Sequence, residues 1–214
     1  MDKKVVFDFD KTLIRINSFT HWIFFIWSNS FLTLELRLFF TISRLIFKRK
    51  ISRNLSHELF KREIILLEYP PDYCSKFSKK LYPYLNKDVM NYLEYFGENN
   101  YQIAISSAAP EIYLKEFIQN YITVNQFLVV GATIEEHRLN DNFGEKKVEN
   151  LIKKGFLDSG EKFDVLFTDS FDDKTLAGLA KEIYLISPDE KSKAEFFKFF
   201  PEKILEESKN KQNG

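Results

Sequence analysis

Five short apolar, β-prone runs, at residues 5–10, 102–107, 127–133, 164–169 and 182–186, are separated by stretches with helical periodicity. This alternation constrains the fold more than any other feature of the chain. Strands that each need a helical crossover before the next one pair in parallel, with helices covering both faces of the sheet. The spacing predicts helices over 19–68, with a break near 51–55, then over 72–82, 88–96, 110–120, 146–154, 173–181 and 191–199. Pro70, Pro71 and Pro83 punctuate the long helical stretch between the first strand and the second. Residues 134–139 are expected to form the return strand of a short hairpin, and the polar residues 206–214 a flexible tail.

With 214 residues the chain can bury a sizeable core in one domain carrying an insertion. Its 31 Lys and Arg balance 31 Asp and Glu, so no overall field draws it to nucleic acid. Cys74 is the only cysteine, which rules out an intrachain disulfide and suits a reducing, cytoplasmic setting. Met1 to Lys4 lead straight into the first strand, so no signal peptide is expected. In the Phe-rich stretch 22–47 the longest unbroken apolar run is six residues, with Glu35 and Arg37 near its centre. A transmembrane helix needs about 20 apolar residues, so none is expected.

Asp8 and Asp10 close the first run, Val5-Val6-Phe7-Asp8-Phe9-Asp10-Lys11-Thr12. On a strand, alternate residues point the same way. The two carboxylates are therefore expected side by side at the strand's carboxyl end, where parallel sheets bind ligands. Like charges so placed call for a cation or a shared proton. The second run ends in Ser106-Ser107-Ala108-Ala109-Pro110, small residues ahead of a Pro-started helix. Their backbone N–H groups and a hydroxyl suit an anion, and the same residues also suit a plain helix cap. The fourth run ends in Thr168-Asp169-Ser170-Phe171-Asp172-Asp173, with three acids together. In Gly144-Glu145-Lys146-Lys147-Val148 a lysine at a helix start opposes the helix dipole unless something anionic holds it.

In this order the motifs resemble the four of the haloacid dehalogenase superfamily, from residue 4 to about 188. Ser107-Ala108-Ala109-Pro110-Glu111 and the Gly-x-x-Lys-Val segment are most similar to its phosphoserine-phosphatase-like branch. The resemblance implies an α/β fold: a Rossmann-like parallel sheet over 1–14 and 100–205, with an inserted α-helical cap over 15–99. It implies a Mg²⁺-dependent phosphomonoester hydrolase acting through an aspartyl-phosphate, with Asp8 as nucleophile and Asp10 as acid–base. Thr12, Ser107, Ala108 and Lys147 would bind the phosphoryl group, with Ser106 and Lys146 as alternative registers. Asp8, the main-chain carbonyl of Asp10, and Asp169 would hold Mg²⁺, supported by Asp173, for which Asp172 competes. Superfamily dehalogenases lack the second aspartate, so Asp10 favours phosphate esters over dehalogenation. A phosphotransferase on the same scaffold is the alternative, as is a membrane-surface-associated metal-binding regulatory protein without turnover.

Substrate is harder to read. Phosphoserine phosphatases carry a cap glutamate shortly after the first motif to read the amino group; here Asn17 and Ser18 follow instead. Asn17, His21 and Trp22 are the candidates for substrate specificity. Aromatics crowd the start of the insert, and residues 43–63 carry seven Lys or Arg against two Glu. Such an insert suits a small phosphorylated metabolite with an apolar body or a lipid phosphate, and peripheral contact with an anionic membrane. It equally suits a cap whose aromatics form its own core.

Overall fold

The computed structural model describes residues 3–123 and 127–208. Strand β1 (Lys4–Phe7) is followed by helices α1 (Ser18–Leu32), α2 (Leu36–Lys50), α3 (His57–Ile65), α4 (Tyr73–Leu81) and α5 (Lys87–Glu98). Then come β2 (Gln102–Pro110), α6 (Glu111–Tyr121), β3 (Phe127–Glu135), β4 (Arg138–Asn140) and α7 (Glu145–Lys153). The chain continues through β5 (Phe163–Thr168), α8 (Lys174–Leu179), β6 (Ala180–Ile186), α9 (Glu190–Phe199) and β7 (Ile204–Ser208). The strands form one sheet in the order β4-β3-β2-β1-β5-β6-β7, parallel throughout except for the antiparallel β3–β4 pair.

The two-residue period sorts the central strands onto two cores. Val5, Phe7, Ile103, Ile105 and Phe167 join one buried cluster with the helical insert, α5 and α6. Val6, Ala104 and Leu166 join the other with Leu151 of α7, Leu176 of α8 and Phe196 of α9. Phe7, Phe167 and Tyr184 are register partners on three adjacent strands. Their rings stack at 4.4 and 4.6 Å, an aromatic ladder across the sheet centre. Tyr92 and Phe96 of α5 pack against this ladder.

Several elements end elsewhere than the sequence suggests. Strand β1 stops at Phe7, because Thr12 N and Ile14 N both fold back to the carbonyl of Phe9 and Lys11 takes a positive φ of 59°. Asp8 and Asp10 are therefore not alternate residues of one strand; Asp10 stands in the turn that follows. The stretch 19–68 breaks near residues 51–55 as its periodicity indicates, and once more at Thr33-Leu34, where Leu34 has φ 59°. No Gly or Pro marks that second break. The hairpin turns at Glu136-His137, both with positive φ, so Ile134 and Glu135 belong to the outgoing strand. Lys181 and Ala180 lie in β6, not in the preceding helix, and Glu206 to Ser208 pair with β6 as β7; residues 209–214 fall outside the described residues.

Gly131 on β3 shows how tightly the carboxyl edge is packed. A Cβ there would lie 2.7 Å from Glu111 Cα and 2.8 Å from the carbonyl oxygen of Ala109. Its N–H also donates to Glu111 Oε2 at 3.1 Å. Gly131→Ala should therefore destabilise the protein by about 1–3 kcal/mol, read as a lower urea midpoint at unchanged slope. An unchanged midpoint would mean that the β2–α6 corner yields freely.

Candidate active site

The site forms where β1, β2 and β5 end. Asp8 follows β1 directly, and its N–H donates to the carbonyl of Phe167 at 2.9 Å, so the last β1–β5 bond fixes the backbone beneath its carboxylate. Thr168 ends β5, and its hydroxyl donates to Asp173 Oδ2 at 2.8 Å. Lys147 stands in the first turn of α7, after Gly144, whose φ of 58° admits the turn into that helix. Its Nζ lies 2.7 Å from Asp8 Oδ1, and 2.7 and 2.9 Å from the two oxygens of Asp173. All three side chains are buried. Of the two alternative registers, Lys146 and Asp172 are exposed, whereas Lys147 and Asp173 form the buried bridge.

Asp10 is held from the helical insert. Ser18 N, at the start of α1, donates to Asp10 Oδ1 at 2.9 Å. The Ser18 hydroxyl in turn meets the buried Tyr113 hydroxyl of α6 at 2.9 Å. Burial pushes Asp10 up to about 6 against the pull of the Ser18 hydrogen bonds. Burial and the neighbouring Asp173 push Asp169 up to about 7. Asp8 is raised as well, by burial first, then by repulsion from Asp173 and Asp169, against the attraction of Lys147. For Lys147 burial alone would lower the pKa, but Asp173 and Asp8 outweigh it and raise it.

Two acids, Asp8 and Asp173, thus share the buried Lys147 ammonium, while the neighbouring Asp169 is met only by the exposed Lys11, at 3.9 Å. That excess of hard oxygen donors fits a small divalent cation. Among the described residues no three His, Cys, Asp or Glu side chains are gathered as a ready metal cluster. The expected set needs only two, Asp8 and Asp169, with the carbonyl of Asp10.

The remaining candidates are placed as follows. Ser106 Oγ accepts from Asn142 Nδ2 at 3.0 Å, and Ser107 Oγ accepts from Ala109 N at 3.1 Å. Both serines are buried, in the irregular stretch of β2 between Ser106 and Pro110 that also holds Ala108. Thr12 is fully buried, and its hydroxyl has no hydrogen-bond partner among the described residues. Asn17 is spent as the cap of α1, its Oδ1 accepting from Thr20 N and Thr20 Oγ1. His21 is exposed, bonding through Nδ1 to the carbonyl of Asn17 and touching the Tyr84 ring. Trp22 is 1% exposed, enclosed by Phe25, Tyr69, Phe77 and Tyr113. It packs behind Tyr113 and offers a substrate no surface.

Two contributors escaped the sequence. Asn142 is a buried hub: Nδ2 donates to Ser106 Oγ and to the carbonyls of Ser107 and Val130, and Oδ1 accepts from Asn150. An Asn in a loop before a helix reads as an ordinary turn residue, so nothing singled it out. Lys61 of α3 is buried and pairs with Asp141 Oδ1 at 2.5 Å, and its charge reaches Asp10. Its signal was present: His57, Phe60, Lys61 and Ile64 form one i, i+3, i+4, i+7 stripe, so Lys61 stands on the helix's apolar face.

A buried lysine clamped between two carboxylates, with a further aspartate on the adjoining turn, thus stands at the carboxyl end of a parallel sheet. The family model for haloacid dehalogenase-like hydrolases matches residues 5–178, and the chain belongs to that family. No curated protein matches its sequence. Among solved structures it is similar to a protein of unknown function from Bordetella pertussis Tohama I (14% identity, 96% of this chain, 98% of that chain, TM-score 0.71). It is also similar to a phosphoserine phosphohydrolase-like protein from Francisella tularensis (19%, 86% and 86%, 0.53). A third likeness is to a substrate-bound phosphoserine phosphatase (12%, 91% and 90%, 0.55). These likenesses confirm the Rossmann-like α/β fold.

The raised carboxyls set a pH dependence for the metal-free protein. Asp10 and Asp169 bind their protons more tightly folded than unfolded, where each titrates at 3.8. Their contribution to stability is therefore present at low pH and lost as pH rises from 3.8 through about 7. Chelator-treated protein should show a Tm that falls across this window, with Mg²⁺ restoring it mostly at the upper end, and Asp169→Asn should flatten the fall. A Mg²⁺ effect of equal size at both ends would contradict the assignment of the Asp169 carboxylate to the cation.

Proposed function

We propose that this chain is a Mg²⁺-dependent phosphomonoester hydrolase that carries the phosphoryl group transiently on Asp8. The observation that supports this most is the buried Lys147 bridge, 2.7 Å from both Asp8 and Asp173. With Oδ1 held by Lys147, the second oxygen of Asp8 attacks phosphorus as the bond to the leaving oxygen breaks. Asp10, titrating at about 6, gives its proton to the leaving alkoxide. It then takes a proton from the water that attacks the phosphoryl group, which leaves as phosphate and restores Asp8. Lys147 and a hydroxyl from Ser107 or Ser106, with the Ala108 N–H and Thr12, hold the phosphoryl oxygens. Asp8, Asp169 and the carbonyl of Asp10 would hold Mg²⁺, which when bound offsets negative charge on those oxygens.

The substrate is a small phosphomonoester. A preference for an apolar body draws no support from Trp22 or Phe25, which are buried in the insert's own core. With Asn17 occupied as a helix cap, an amino-group reader at that position is also without support.

Asp8→Asn should retain the fold and lose hydrolysis of a generic aryl phosphate by more than about 10³-fold. Asp10→Asn should slow alkyl phosphates by about 10²–10⁴-fold and nitrophenyl phosphate far less, because nitrophenolate departs without a proton. Activity should vanish with EDTA and return with Mg²⁺. Unchanged turnover in folded Asp8→Asn protein would overturn the proposal.

A further inference from the structure

Helix α2 turns its apolar side chains in two directions. Ile42 and Leu45 are buried inward, and Leu38 and Ile46 pack on the same core. Outward, Leu36, Phe40, Phe47 and Ile51 stand at i, i+4, i+11 and i+15, which at 3.6 residues per turn places them within about 60° of arc. They are 49%, 65%, 52% and 69% exposed. Nothing amphipathic about a solvated helix requires this face to be apolar.

The stripe continues onto α1. Phe24 and Phe31 are exposed there, and their rings join those of Trp27, Phe39 and Phe40 in one chain of contacts between 5.3 and 6.2 Å. Leu32 and Leu34 are exposed at the tip between the helices. Contiguous apolar surface of this extent on a folded protein marks a docking site.

Charge identifies the partner. Residues 36–57 contain six Lys or Arg and no Asp or Glu. Arg37, Arg44 and Lys48, all exposed, follow the apolar stripe along one flank of α2, at about 80–120° on the same wheel. An apolar strip bordered by cations, on a helix neither long nor apolar enough to cross a bilayer, matches an anionic lipid interface. The catalytic turn adjoins the other end of α1, which at 1.5 Å per residue is roughly 20 Å from the tip, so docking leaves the site uncovered.

We propose that the outward face of α2, with Phe24 and Phe31 of α1, seats this protein on an anionic lipid bilayer. The inference is independent of the phosphatase reading. The test is flotation of the full chain with phosphatidylcholine vesicles, with or without phosphatidylglycerol. Binding should be at least tenfold stronger with the anionic lipid and should weaken as salt is raised. Phe40→Asp with Phe47→Asp should lower it at least tenfold while melting temperature and hydrolysis of a soluble aryl phosphate stay unchanged. Arg44→Glu with Lys48→Glu should abolish the preference for anionic over neutral vesicles. No flotation at low salt, or flotation indifferent to the Phe pair, would overturn the proposal. So would concentration-dependent self-association that the Phe pair abolishes, since the face would then belong to a second copy of the chain.

Discussion

The buried bridge from Lys147 to Asp8 and Asp173 is the contact on which the rest of the architecture depends. Charges taken out of water are costly unless each finds a partner, and here a single ammonium serves carboxylates from two strand ends. That requirement fixes how far α7 stands from β1 and β5, and the register of the helix, since only Lys147 of the Lys146-Lys147 pair can turn inward. The aromatic ladder of Phe7, Phe167 and Tyr184 lies directly behind the two strand ends. It supplies the stiffness that keeps two neighbouring loops within hydrogen-bond reach.

A second layer of polar contacts holds the corner where β2 ends. Asn142 ties β2 to β3 and α7 through three donated hydrogen bonds and one accepted. Each of those acceptors is buried, so their satisfaction is obligatory. The Ser18–Tyr113 contact does the same for Asp10 from the opposite face. The site is thus built by loops whose backbone is pinned from behind, which suits groups that must stay put while charge moves.

The sheet, its parallel sense and the acids gathered at its carboxyl edge were legible because each rests on a local pattern: apolar runs of strand length ending in polar side chains. What escaped had no local signature. Strand β7 is short, and its Glu206 and Glu207 look like tail. The turn at Leu34 is made by a residue that rarely takes positive φ, so a helix seemed to run through it. The hub role of Asn142 exists only once three segments meet. The insert's aromatics were legible as a group but not one by one: Trp22 and Phe25 point inward while Phe24 points to solvent, a division set by helix phase against a core that sequence alone does not locate.

The insert is fastened to the sheet by two unlike seams. On one side Trp22, Phe77 and Tyr113 interlock α1 and α4 with α6 through rings. On the other, α3 meets the residue after β4 through Lys61–Asp141 and the hairpin turn through Arg62 Nε to the carbonyl of His137 at 3.0 Å. Pulling rings apart exposes oil to water, whereas separating an ion pair lets both ions hydrate again, so its net cost is small. The ring seam is therefore the costlier of the two to part, and the insert is held more firmly along α1 and α4 than along α3.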